Sequence, residues 1–222
     1  MKKQITLTIL ALSFALSAAP FIHAQDLNID DFQAGGSPIL QYLTGVHSST
    51  QTGPTNHIIG GTRSESVNAN GNTLNQFSTF QFRPDVPNNR SAFIQNGGFY
   101  AGPRVDMQYG AGTPMREDLS PYKQSGFIRV NFKGLTEALN FNIQLFTGTK
   151  WAQGGCNIGA YPGGFSVELP LSKFVDTGID FADISYMHFI FQSSSAIGAV
   201  SFAVTSIEVS NTHKAGAISC HY

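Results

Sequence analysis

Two alternating runs hold the densest set of groups able to recognise a ligand. In SGFIRVNFKG, which starts at Ser125, Arg129 and Asn131 alternate with Ile128, Val130 and Phe132. In LNFNIQLFTGTKW, which ends at Trp151, Asn140, Asn142 and Gln144 alternate with Leu139, Phe141, Ile143 and Leu145. In a strand, successive side chains point to opposite faces, so each run presents one apolar and one polar face. Amide and guanidinium groups offer fixed donors and acceptors, the chemistry that pairs with sugar hydroxyls. The short LTEA connection predicts that the runs pair as a β-hairpin. Arg129, Asn131, Asn140, Asn142 and Gln144 would then form one ligand floor over half a sandwich core.

Two other runs add to that floor. Asp106 and Gln108 alternate out of a strand whose other face is Val105, Met107 and Tyr109. Tyr186, His188 and Gln192 lie opposite Met187, Phe189 and Phe191. Trp151, the single tryptophan, opens WAQGGCNIGAYPGG, which reads as a long loop. There Trp151 and Tyr161 form a stacking rim for a sugar ring, or Trp151 plugs the end of the core. Set against the ligand floor is an ordinary solvated sheet face, since antiparallel sheets often face water on one side.

Catalytic signatures are missing. The chain has no G-x-S-x-G, no P-loop and no H-E-x-x-H. His47, His57, His188, His213 and His221 show no metal-ligand spacing. A glycosidase needs two carboxylates held across one bond, for which Asp106 with Glu168 or Asp183 are the candidates. The pattern favours a binding module over an enzyme.

The elements that position these groups are all strands. DLNIDDF from Asp26 opens the domain, and the paired Gly60-Gly61 mark a bulge or tight bend. Ser64–Ala69 and Thr73–Arg83 read as a hairpin around Asn70-Gly71. Later strands include FSVELP and the run from Ala199 to Val209. Pro170 lacks an amide donor and marks a strand end or edge. No amphipathic helix follows residue 24. Many short strands with glycine-rich turns predict an all-β, two-sheet antiparallel sandwich of jelly-roll type, one domain over residues 25–222.

Residues 1–24 read as a secretory signal peptide: Lys2 and Lys3, an apolar run, then a small residue, Ala24. The run is too short to span a bilayer, so a periplasmic or extracellular protein with no membrane span is expected. The formal charge is −1 with 12% charged residues and no Lys/Arg cluster, which speaks against nucleic acid as a partner. A surface rich in Asn, Gln, Ser, Thr and Gly suits neutral polar ligands. Cys156 and Cys220 are an even count in an exported chain and suggest a disulfide. It would tie the C-terminal tail to the glycine-rich segment; the other reading is two unpaired thiols.

The order of several segments resembles the galactose-binding-like jelly rolls. These segments are IDDF, GGTR, VDMQY, DLSPYKQSGFIRVNFKG, FSVELPLSKF, GIDFADISYMHFIF and SFAVTSIEV. That group includes glucan-binding carbohydrate modules and the complex I intermediate-associated protein family; GGTRS is similar to a segment of the latter. The resemblance implies a jelly roll whose concave face or loop rim binds a glycan or another protein. It also implies a structural calcium near the first and last strands. Thr205-Ser206 stand where many relatives carry an Asp-Asn pair, which leaves Asp30, Asp31 and Glu208 as oxygen donors; Asp30 and Asp31 also read as solvated strand-end acids. The expected function is a non-catalytic module for a neutral carbohydrate or glycoconjugate. The alternatives are a protein-interaction module, with Phe99, Tyr100 and Tyr161 as its surface, and a small glycan hydrolase.

Overall fold

The computed structural model describes residues 25–36, 39–70, 77–86, 89–96, 104–193 and 200–220. The proposed signal peptide, Phe99, Tyr100 and the Gly71 turn position lie outside the described residues. Within them run β1 (Leu27–Asp30), β2 (Ile39–Tyr42), β3 (Val46–Thr52), β4 (Thr62–Asn68), β5 (Ser78–Val86), β6 (Asn89–Asn96) and β7 (Arg104–Tyr109). They continue as β8 (Phe127–Leu135), β9 (Leu139–Thr147), β10 (Lys150–Ile158), β11 (Tyr161–Pro170), β12 (Tyr186–Ser193), β13 (Val200–Ser210) and β14 (Ile218–Ser219). Helical structure among the described residues is confined to short 3-10 turns, the longest at Leu171–Thr177.

The strands form two sheets, as expected for an all-β sandwich. The larger runs β14-β11-β8-β13-β6-β5-β2, with β1 added beside β13. The smaller runs β10-β9-β12-β7-β4-β3. The inward residues follow the alternation: Ile128, Val130, Leu139, Phe141, Ile143 and Leu145 are fully buried. Phe132 of one sheet meets Phe141 and Phe191 of the other edge to face, with ring centroids 6.2 and 6.3 Å apart. Aromatic rings in such tilted contact bring large buried area and fix the sheets face to face.

The predicted central hairpin does not form. β8 pairs with β11 and β13, so both its edges are occupied, while β9 pairs with β10 and β12 in the opposite sheet. The LTEA connection is an arch between layers. Gly134 takes a positive φ of 81°, and Thr136 is stitched to β13 by a bond to the Ser201 carbonyl at 3.1 Å. The hairpin around Asn70-Gly71 fails for the same reason: β4 is held by β3 and β7, and β5 by β2 and β6 of the other sheet. The segment from Trp151 is not a loop but β10 and the start of β11, and the true hairpin is β9–β10.

Cys156 on β10 is bonded to Cys220, with Cα atoms 5.1 Å apart. The bridge joins the outer strand of the smaller sheet to the tail beside β14 at the edge of the larger one. The chain-entropy argument assigns about 4 kcal/mol to closing a loop of this length.

Buried between the sheets is a polar knot. Arg63 donates to both Asp30 oxygens at 2.8 and 2.6 Å, to Glu65 at 2.6 Å and to Gln51 at 2.8 Å. The Tyr109 hydroxyl donates to Asp30 at 2.8 Å, and the guanidinium stacks over Phe82 at 4.4 Å. Burial pushes Glu65 up to about 7, and the Arg63 charge offsets this only in part. Burial raises Asp30 as well.

Candidate functional site

The outer face of the smaller sheet carries polar side chains in register across every strand. Gln153, Gln144, His188, Gln108, Ser64 and Thr50 stand opposite one another in turn. A second row is Gly155, Asn142, Ile190, Asp106, Ser66 and Ser48; a third is Asn157, Asn140, Gln192, Arg104, Asn68 and Val46. On the other side of the glutamine row, Trp151, Phe146 and Tyr186 face one another on β10, β9 and β12. Phe146 lies nearly parallel to Trp151 at 6.2 Å and edge-on to Tyr186 at 4.9 Å. Strands about 4.8 Å apart thus lay out a polar surface with an aromatic border.

The acid of this face is tied down beneath it, while Arg104 stays 42% exposed. Asp106 is 2% exposed. One of its oxygens accepts from His188 Nε2 at 2.8 Å, the other from Arg104 Nε and Ser66 Oγ, each at 3.1 Å. His188 Nδ1 meets Gln144 at 3.2 Å, and Gln144 reaches Gln153 at 3.4 Å. A hydrogen-bonded chain therefore runs from β7 across β12 and β9 to β10 and fixes the amide rotamers. Burial, with the Asp106 charge adding to it, pushes the Tyr186 hydroxyl up to about 12, so Tyr186 remains a neutral hydrogen-bonding phenol.

What is left facing outward is mostly uncharged. Asn142 donates to Asn140 at 2.7 Å. Gln108 and Asn157 have no side-chain hydrogen bond among the described residues, and solvent or ligand must serve them. Gly155 faces Asn142 because β10 passes so close to β9: a Cβ there would lie 2.1 Å from the Phe141 carbonyl oxygen. The bare backbone leaves a notch lined by Asn140, Asn142, Gln153 and Asn157. Trp151 is 53% exposed, which places it on the rim rather than in the core.

Of the residues singled out in the sequence, Asp106, Gln108, Asn140, Asn142, Gln144, Trp151, Tyr186, His188 and Gln192 share this face. Arg129 and Asn131 do not. They sit on β8, on the outer face of the larger sheet, because the arch carries β9 into the other layer. Arg129 is 6% exposed and donates to Glu168 at 2.8 Å, to Glu208 at 2.7 Å and to the Thr212 carbonyl. Burial opposes its charge, and the two glutamates more than offset that and raise its pKa. The tail after β13 lies over this cluster, with His213 against Glu168 and the Lys214 amide donating to Glu168 at 2.9 Å.

Reading the tryptophan segment as a loop hid Gln153 and Asn157. Two glycines and few apolar residues mask a strand there, yet Ala152, Gly154 and Ile158 do alternate inward. Phe146 and Arg104 were legible as the outward neighbours of Gln144 and Asp106.

Asp106 and Glu168 do not assemble a glycosidase pair. Asp106 and Glu168 lie on opposite outer faces of the sandwich, and Asp183 is paired with Arg116 at 2.7 Å. The three calcium candidates are each engaged by other groups. Both Asp30 oxygens are taken by Arg63, with Tyr109 and the Phe32 amide as further donors. Asp31 bonds His57 at 2.7 Å, and Glu208 bonds Arg129. Among the described residues no three His, Cys, Asp or Glu side chains are grouped to hold a metal. No described helix is long and apolar enough to cross a membrane.

The chain matches no protein-family profile and no curated protein sequence. Solved structures that align with it include carbohydrate-binding modules. A family 30 module of a cellulosomal cellulase from Clostridium thermocellum aligns at 12% identity over 86% of this chain and 99% of its own, with a TM-score of 0.47. A family 11 module from Clostridium thermocellum, solved with a β-1,3-1,4-mixed-linked tetrasaccharide, aligns at 14% identity over 87% and 97%, with a TM-score of 0.47. An agarase aligns at 10% identity over 60% of this chain and 22% of its own, with a TM-score of 0.43.

Proposed function

We propose that this protein is an exported, non-catalytic module that binds a neutral carbohydrate or glycoconjugate across the outer face of the smaller sheet. The observation that carries the reading is the set of in-register amide rows bordered by Trp151, Phe146 and Tyr186. Sugar rings present hydroxyls at their edges and C–H groups on their faces. Amides on a rigid sheet answer the first, and an exposed indole answers the second. The Asp106 charge is held by His188 and Arg104 below the surface, so an acidic group does not meet the ligand. The sheet positions these groups before binding, which limits the ordering cost on association. The Cys156–Cys220 bridge supports export to an oxidising compartment.

Affinity electrophoresis in gels containing neutral glucans or galactans tests the reading. The wild-type chain is retarded by at least one of them, while Gln144→Ala and Trp151→Ala each migrate freely. Equal retardation of all three proteins, or of none by any neutral glycan, would count decisively against it.

A further inference from the structure

The larger sheet carries a second, differently built hollow, on the far side of the sandwich from the amide rows. It measures about 670 Å³ and lies between β8, β11, β13 and the tail segment 214–217. Its floor is a set of hydroxyls organised by Asn131. Asn131 accepts from Ser166 at 2.6 Å and donates to Ser206 at 2.9 Å, and Thr205 donates to the Asn131 carbonyl at 3.2 Å. Its roof is the Lys214 ammonium, which donates to Asn131 at 2.9 Å. Among the described residues the Lys214 ammonium has no carboxylate partner, and it stands exposed at the mouth of the hollow.

Neither neighbouring acid lines the hollow. Glu168 and Glu208 are both engaged by Arg129, and Glu168 by His213 as well. Tyr161 forms one wall and is 44% exposed. Its ring is braced by Phe165 at 4.9 Å. Gly164 lies beside it and leaves the sheet surface bare there.

We propose that this hollow binds an anionic sugar unit, with its acidic group on Lys214 and Ser206 and its ring against Tyr161. An ammonium point charge with hydroxyl donors suits a carboxylate or a sulfate ester, and charge-assisted hydrogen bonds are the stronger kind. An exposed phenol ring supplies the apolar contact that a bare inorganic anion would not need. The site is distinct from the amide rows, and the disulfide holds it in shape. Cys220 closes the tail segment that carries Lys214, its amide bonds the Glu168 carbonyl at 2.8 Å, and β14 pairs in parallel with β11 next to the hollow.

Calorimetric titration of the oxidised full chain tests this with three probes: trigalacturonate, a sulfated oligosaccharide and a neutral trisaccharide. The expected result is binding of at least one acidic probe, weakened by added salt because a solvent-facing charge is screened. Lys214→Ala weakens it by roughly tenfold or more, Lys214→Arg retains it, and Ser206→Ala weakens it less. Trp151→Ala leaves it unchanged, while reducing the disulfide weakens it. Which acidic probe binds identifies a carboxylate or a sulfate as the recognised group. The proposal is overturned if neither acidic probe binds at millimolar concentration, if Lys214→Ala and Ser206→Ala both bind as the wild type does, or if Trp151→Ala abolishes the binding. Failure here leaves the amide-row reading standing, and loss of neutral-glycan binding leaves this one standing.

Discussion

The two outer faces of the sandwich start from the same alternation and end differently. On β9 the outward Asn140, Asn142 and Gln144 remain on an open surface. On β8 the outward Arg129 is enclosed by Glu168, Glu208 and the C-terminal tail. Sequence period places a polar group on the outside of a sheet; it does not say whether the outside stays wet. That is decided by what the chain later lays over it, and by whether the group is a neutral amide or a charge seeking a partner. An amide face tolerates exposure without internal pairing. A guanidinium paired with two glutamates tolerates being covered, and once covered it cannot be left unpaired without cost.

The comparison predicts that substitutions on the covered face act on folding and those on the open face act on binding. The largest effect is expected from Arg129→Ala, which strands Glu168 beneath the tail. Urea denaturation should show a loss of about 3–5 kcal/mol, with neutral-glycan affinity unchanged for the folded fraction. A loss of affinity without a loss of stability would reverse the assignment of the two faces. Next, Cys156→Ser should remove up to about 4 kcal/mol, and amide exchange should rise first in residues 211–220, where the tail is no longer held.

A third effect belongs to neither outer face. Glu65 in the buried knot has its pKa raised to about 7, above the ordinary carboxylate value it has when unfolded. The folded state therefore holds a proton that the unfolded state gives up. The stabilisation is full below that ordinary value and is lost as pH rises through 7. The span corresponds to about 3 kcal/mol, and Glu65→Gln should flatten the dependence. A stability profile that rises over the same interval would contradict a raised Glu65 pKa. The smallest stability effects are expected on the open face. Asn142→Ala and Gln108→Ala should change stability by less than about 0.5 kcal/mol while weakening neutral-glycan binding several-fold in the same calorimetric assay.

The inward set Ile128, Val130, Phe132, Leu139, Phe141, Ile143 and Leu145 was legible because alternation is a local property that burial reads directly. The partnership of β8 was not. A four-residue connection is long enough for a hairpin or for an arch, and the choice turns on β11 and β13 claiming both edges of β8 from far along the chain. Arg63 and Glu65 escaped notice although they share a face with Val67, an inward position. A charged pair at alternate positions beside a buried valine is the signal that could have exposed the knot. The enclosure of Arg129 depends on residues 212–214, more than eighty positions away, and no local pattern reports it.

Backbone chemical-shift mapping during titration with a neutral oligosaccharide that retards the chain addresses the central claim most directly. The account predicts that the perturbed amides cluster on β7, β9, β10 and β12, centred on Gln144, His188 and Gln153 and including the Trp151 indole, with β8 and the tail silent. Perturbations confined to β8, β11 and residues 212–217 would contradict it.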